Sequence, residues 1–151
     1  MTFPSRWPVV AVALALIGTA AMAPRPSHAQ DDPATRSGLE IDLNKTEAVE
    51  GGCRSYFLFR NDTGTTWDAF ELSLAILDRD GVIAQLLTID AAPLPAGRSA
   101  LKLFDIPDIA CGDIGEIILH DIATCADASG ARSDCFEVVR LVSRSGIPLV
   151  P

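Results

Sequence analysis

Along Asp68-Ala69-Phe70-Glu71-Leu72-Ser73-Leu74-Ala75-Ile76 the large apolar side chains recur at every second residue. A period of two puts Phe70, Leu72, Leu74 and Ile76 on one face of an extended strand, whereas a helix would need spacings of three and four. Comparable runs follow one another along the chain, and turn residues punctuate them about every ten to fifteen positions. The punctuation includes Asn61-Asp62-Thr63-Gly64, Asp80-Gly81 and Pro93-Leu94-Pro95-Ala96-Gly97, all residue types that favour tight turns. The pattern predicts seven strands, at 39–48, 53–60, 67–77, 82–89, 99–104, 116–124 and 136–143. Proline stays out of every strand interior, as a sheet requires. Ile117, Ile118, Leu119 and Ile122 put apolar groups on both faces of the sixth run, which predicts a central position for it.

Seven short strands with no convincing helix predict an all-β fold. The expected form is an antiparallel immunoglobulin-like β-sandwich, with a small closed barrel as the competing architecture. The chain has 151 residues, enough for one such domain. The tail Gly146-Ile147-Pro148-Leu149-Val150-Pro151 is apolar but limited by proline, so it is expected along a sheet edge.

Residues 1–29 carry the marks of a secretory signal peptide. Arg6 precedes the apolar run from Val9 to Ile17, and small residues follow it. That run is shorter than the roughly 20 residues a membrane span needs. Release after Ala29 is expected, since Ser27-His28-Ala29 fits a cleavage site and the polar Gln30-Asp31-Asp32 comes next. Residues 30–38 then read as a flexible polar lead and 39–151 as the folded domain. The expected location is periplasmic or secreted, with no membrane span after cleavage.

Four cysteines in an oxidising compartment read first as crosslinks. Strands that alternate in direction decide the pairing. Cys53 opens the second strand and Cys111 lies between the fifth and sixth, so both sit at one end of the sandwich. Cys125 closes the sixth strand and Cys135 opens the seventh, so both sit at the other end. A bridge needs Cα atoms within about 7 Å, while the ends lie about 20–30 Å apart. The prediction is Cys53–Cys111 and Cys125–Cys135.

Composition narrows the function. The chain holds 20 acidic against 12 basic residues, a net charge of −8. Removing residues 1–29 takes away Arg6 and Arg25 but no acid, leaving 20 against 10, or −10. Nucleic-acid binding rests on clustered Lys and Arg, so it is not expected. Only His120 would remain to activate a nucleophile, and the adjacent Asp121 points to the opposite face of the same strand. No C-x-x-C pair and no metal-ligand or cofactor motif is present.

Two surfaces stand out. One end collects Glu47, Glu50, Asp78, Asp80, Asp105, Asp108 and Asp113, which suggests either solvated turns or a calcium-dependent or hydrolytic pole. The spacing matches no calcium loop. The opposite end carries Trp67, Leu94 and Arg98 beside Asp62, Asp127 and Asp134. A Trp near an Arg is a composition common in protein-binding hot spots, although a Trp at a strand start more often simply caps the core. Asn44-Lys45-Thr46 and Asn61-Asp62-Thr63 match the glycosylation pattern.

The stretch from Phe70 to Leu103, with Leu77-Asp78-Arg79-Asp80-Gly81 and Leu94-Pro95-Ala96-Gly97, resembles the FxLYD-type immunoglobulin-like modules of bacterial exported proteins. With its four cysteines, the region from Leu39 to Ser143 is similar to uncharacterised alphaproteobacterial exported proteins often labelled Tat-pathway signal proteins. This chain departs from that label, because its front region carries Arg6 alone and no twin arginine. The resemblance implies an exported sandwich and brings no functional residues with it. The sequence therefore points to a non-catalytic exported binding or accessory module whose partner is another exported or envelope protein.

Overall fold

The computed structural model describes residues 38–151. The expected signal peptide and nearly all of the expected lead lie outside the described residues. From Leu39 onward the chain forms two packed sheets. One is four-stranded in the order β5-β2-β1-β8, and the other runs β4-β3-β6-β7 with β9 also paired to β6. The strands are β1 Leu39–Val49, β2 Gly52–Asn61, β3 Ala69–Asp78, β4 Ile83–Asp90, β5 Arg98–Pro107, β6 Ile114–Asp127, β7 Gly130–Ala131, β8 Val139–Ser143 and β9 Leu149–Val150.

The immunoglobulin-like sandwich expected from the alternation is what forms, with two differences. Two pairings are parallel, β1 with β8 and β6 with β9, where an entirely antiparallel sandwich was expected. There are also nine strand segments among the described residues instead of seven. The physical reason lies after β6. The chain first folds back on itself as the short β7, then crosses to the other sheet, so β8 meets β1 running in the same direction. The seventh strand consequently begins at Val139 and not at 136. The apolar tail pairs along β6 through two residues only, as its prolines permit.

The period of two becomes the two-sided pattern of β2. Cys53, Ser55, Phe57, Phe59 and Asn61 are buried, while Arg54, Tyr56, Leu58 and Arg60 face outward. Phe70, Leu72, Leu74 and Ile76 bury the corresponding face of β3. Each large side chain buried in this way contributes about 1.5–3 kcal/mol. The inward Ser55 loses no hydrogen bond, since its hydroxyl donates to the Phe104 carbonyl at 2.8 Å.

Both predicted disulfides are present. Cys53–Cys111 has a Cα separation of 4.9 Å and Cys125–Cys135 one of 6.5 Å. They tie opposite ends of the sandwich. Such bridges persist in oxidising compartments. Among the described residues no helix is long and apolar enough to cross a membrane.

Candidate functional site

The register of the four-stranded sheet determines what its outer face displays. Glu40 on β1 lies opposite Arg60 on β2 and opposite Arg140 on β8. Opposed charges on neighbouring strands interact directly. Arg60 donates to Glu40 Oε1, and Arg140 Nη2 lies 2.5 Å from Oε2. One pair further along, Asp42 accepts from Arg144, from Arg60 at 3.3 Å and from the Asn44 amide at 3.2 Å. All three bonds end on Oδ2. Oδ1 is buried without a partner among the described residues, and the Asp42 side chain is 0% exposed. Two carboxylates on the middle strand are thus roofed by three guanidiniums from both sides. Breaking one partner of such a buried pair is costly, because the remaining charge stays desolvated.

The same face continues across β2 onto β5. Arg54 forms a two-pronged contact with Asp105 at 2.7 and 2.9 Å, which draws the Asp105 carboxyl below its usual range and raises the guanidinium. The Tyr56 hydroxyl donates to Glu47 at 2.5 Å. That bond lowers the Glu47 carboxyl and raises the phenol, and Lys45 sits 4.8 Å from the Tyr56 ring centroid. Beside these fixed polar groups Leu101 and Leu103 remain 58% and 47% exposed. The face carries Lys45, Arg54, Arg60, Arg140 and Arg144 against Glu40, Asp42, Glu47 and Asp105, five cations to four carboxylates. It is therefore locally positive on a chain whose net charge is −8.

The residues singled out in sequence lie elsewhere. Trp67 is 2% exposed and Leu94 1%, and the two form an isolated bridge in the core, so neither is available to a partner. The core-capping role is the one Trp67 fills. Its ring centroid lies 5.8 Å from that of Phe70, and the Arg132 guanidinium lies over it at 5.9 Å. Arg98 is exposed at the start of β5. Asn61 in the second glycosylation pattern is buried, with its amide donating to the carbonyls of Thr65 at 2.7 Å and Leu94 at 2.8 Å, so it is a structural bolt and no acceptor for sugar.

The acids of the first end are drawn into turns and ion pairs. Asp78 accepts from the amides of Asp80 and Val82 at 2.9 Å each, Asp105 is held by Arg54, and Glu47 by Tyr56. Glu50 lies in the β1–β2 turn, Asp108 docks its own amide on the Gly51 carbonyl, and the Asp113 amide donates to Ala110. Among the described residues no three His, Cys, Asp or Glu side chains converge where they could hold a metal ion.

One contact was missed in sequence. His120 Nε2 lies 2.8 Å from Ser73 Oγ on the exposed face of the second sheet. The register of β3 with β6 shifts on both sides of this point, and only that irregularity brings the pair together. Asp121 accepts from the Ile122 amide instead of orienting the imidazole. An open depression of about 280 Å³ at the second end is lined by Thr65, Thr66, Asp127, Ala128 and Ser129. Asp127 there accepts from the Ser129 hydroxyl and amide and from Arg132, which together lower its carboxyl to about 2.

Searches against protein-family models, curated proteins and solved structures find no match.

Proposed function

We propose that this chain is an exported, non-catalytic binding or accessory module, periplasmic or secreted, of the kind its strand and turn pattern resembles. Its docking surface is the outer face of the four-stranded sheet, and its partner is another exported or envelope protein. The observation that carries this reading is the exposure of Leu101 and Leu103 beside guanidiniums anchored on buried carboxylates. Arg and Tyr on a rigid scaffold, next to exposed apolar groups, form the composition that recognition surfaces favour. The local excess of positive charge selects a partner with an apolar segment rimmed by acids.

A photo-crosslinking residue placed at Leu101 in the intact, oxidised protein tests this. The expected result is one discrete adduct with an envelope protein, lost on Leu103→Asp and weakened as salt rises. Equal labelling from a control position at Ser129, or an adduct indifferent to Leu103→Asp, would sink it.

A further inference from the structure

The sandwich exposes two long strand edges on one flank, β5 and β4, and they are treated differently. A bare edge invites pairing with another chain, and natural sheets suppress this with inward-pointing charges, proline or very short strands. β5 carries Arg98, Lys102 and Asp105 and ends at Pro107. Lys102 points inward, its ammonium donating to the Ala92 carbonyl at 2.8 Å. On the other flank β7 and β9 have two residues each, and β8 carries Arg140. β4 has eight residues, Ile83-Ala84-Gln85-Leu86-Leu87-Thr88-Ile89-Asp90, with no charge before its last position. Ile83 is 59% exposed and Leu86 65%.

The ladder shows which groups are free. Ala91 donates to the Phe70 carbonyl. Antiparallel pairing alternates, so Ile89, Leu87 and Gln85 direct their main-chain groups at β3, while those of Leu86 and Thr88 point away from the sheet. We propose that β4 pairs antiparallel with β4 of a second copy, joining two five-stranded sheets across a two-fold axis.

The charge pattern of the edge suits a second copy of the chain. Between Asp80 and Asp90 no side chain is charged, so two copies of the strand meet there without like-charge repulsion. Self-pairing about Leu86 or Leu87 sets uncharged residues opposite one another and brings each Asp90 beside Val82 or Ala84 of the other copy. Like charges never face each other in either register. Two-fold symmetry also makes each outward donor of one strand meet the matching acceptor of its twin.

Sedimentation equilibrium of the oxidised protein at about 100 μM, a concentration at which weak strand-edge pairing is populated, tests this. The expected result is a dimer for the unaltered chain and for Leu101→Arg, and a monomer for Leu86→Arg and for Thr88→Pro. The proline removes only an N–H that the single molecule leaves unused. Amide exchange at Leu86 and Thr88 in the unaltered protein gives an independent reading and is expected to slow as concentration rises. A monomer at that concentration would overturn the proposal, as would a dimer that survives both β4 substitutions in folded protein, or exchange at these amides that ignores concentration. Since Leu101→Arg alters only the docking face, failure of one proposal leaves the other standing.

Discussion

The two ends of the sandwich are closed by different means. At the first, Cys53–Cys111 joins positions 58 apart in sequence and ties the start of β2 to the connection between β5 and β6. Around it the links are scattered: the Arg79 guanidinium reaches the Gly112 carbonyl, the Gln85 amide donates to Pro107 and the Asp108 amide to Gly51, and at Gly52 a Cβ would stand 2.2 Å from the Ile106 oxygen. At the second end, Cys125–Cys135 spans only 10 positions, but it sits in a dense local network. Arg132 there donates its amide to the Cys125 carbonyl, grips Asp127 and Asp134, and lies over Trp67, while Asn61 bolts the β2–β3 and β4–β5 turns together. A tie between residues remote in sequence is joined by single, scattered links at one end, and a tie between near neighbours sits within an ion-pair network at the other.

This contrast can be broken in graded steps. Replacing both Cys53 and Cys111 by Ala is expected to cost the most, about 4 kcal/mol by the loop-entropy relation, read as a lowered urea midpoint. Replacing Cys125 and Cys135 should cost about 2–3 kcal/mol on the same relation. Equal losses would show that loop span does not govern the difference. Asn61→Ala removes one of the two donors to each of the Thr65 and Leu94 carbonyls and should cost about 2 kcal/mol in the same titration, with both disulfides intact.

The smallest effect is one of pH. Asp127 titrates at about 2 in the folded protein, below the roughly 3.9 of an unfolded aspartate. The folded state therefore binds its proton less readily. The resulting stabilisation is complete above about pH 4 and disappears as pH falls toward 2. Asp127→Asn should flatten the melting temperature across that window and lower it at neutral pH, where the charged carboxylate contributes fully. Because its partner Arg132 is partly exposed to solvent, high salt should shrink the ion-pair share of the effect.

The two ends also explain what the sequence could disclose. Alternating apolar residues fixed strand existence, and strand alternation then gave both disulfide pairings, since ends 20–30 Å apart leave no other choice. The turn chemistry placed Trp67, Leu94 and Asp127 at the correct end. What remained hidden depended on contacts between sheets. Trp67 looked presentable at a strand start, yet it is covered by Phe70 and Arg132. Asn61 matched a sugar acceptor pattern because the pattern carries no information on burial. The outward Arg-Tyr-Leu-Arg row of β2 is visible in sequence, but its meaning depends on Glu40 and Asp42, which reach it only through cross-strand register. The Ser73–His120 contact depends on shifts of register that no periodicity records.

The parallel seam between β1 and β8 has a consequence for biogenesis. Leu39 lies beside Val139, so β1 finds one of its two neighbours only when nearly the whole chain has been made. Contacts so remote in sequence form slowly. Until residue 143 has been made, β1 has a vacant side and the half-built sheet presents an open edge. Truncations that spare every cysteine but remove β8 should therefore still fail to reach the native fold.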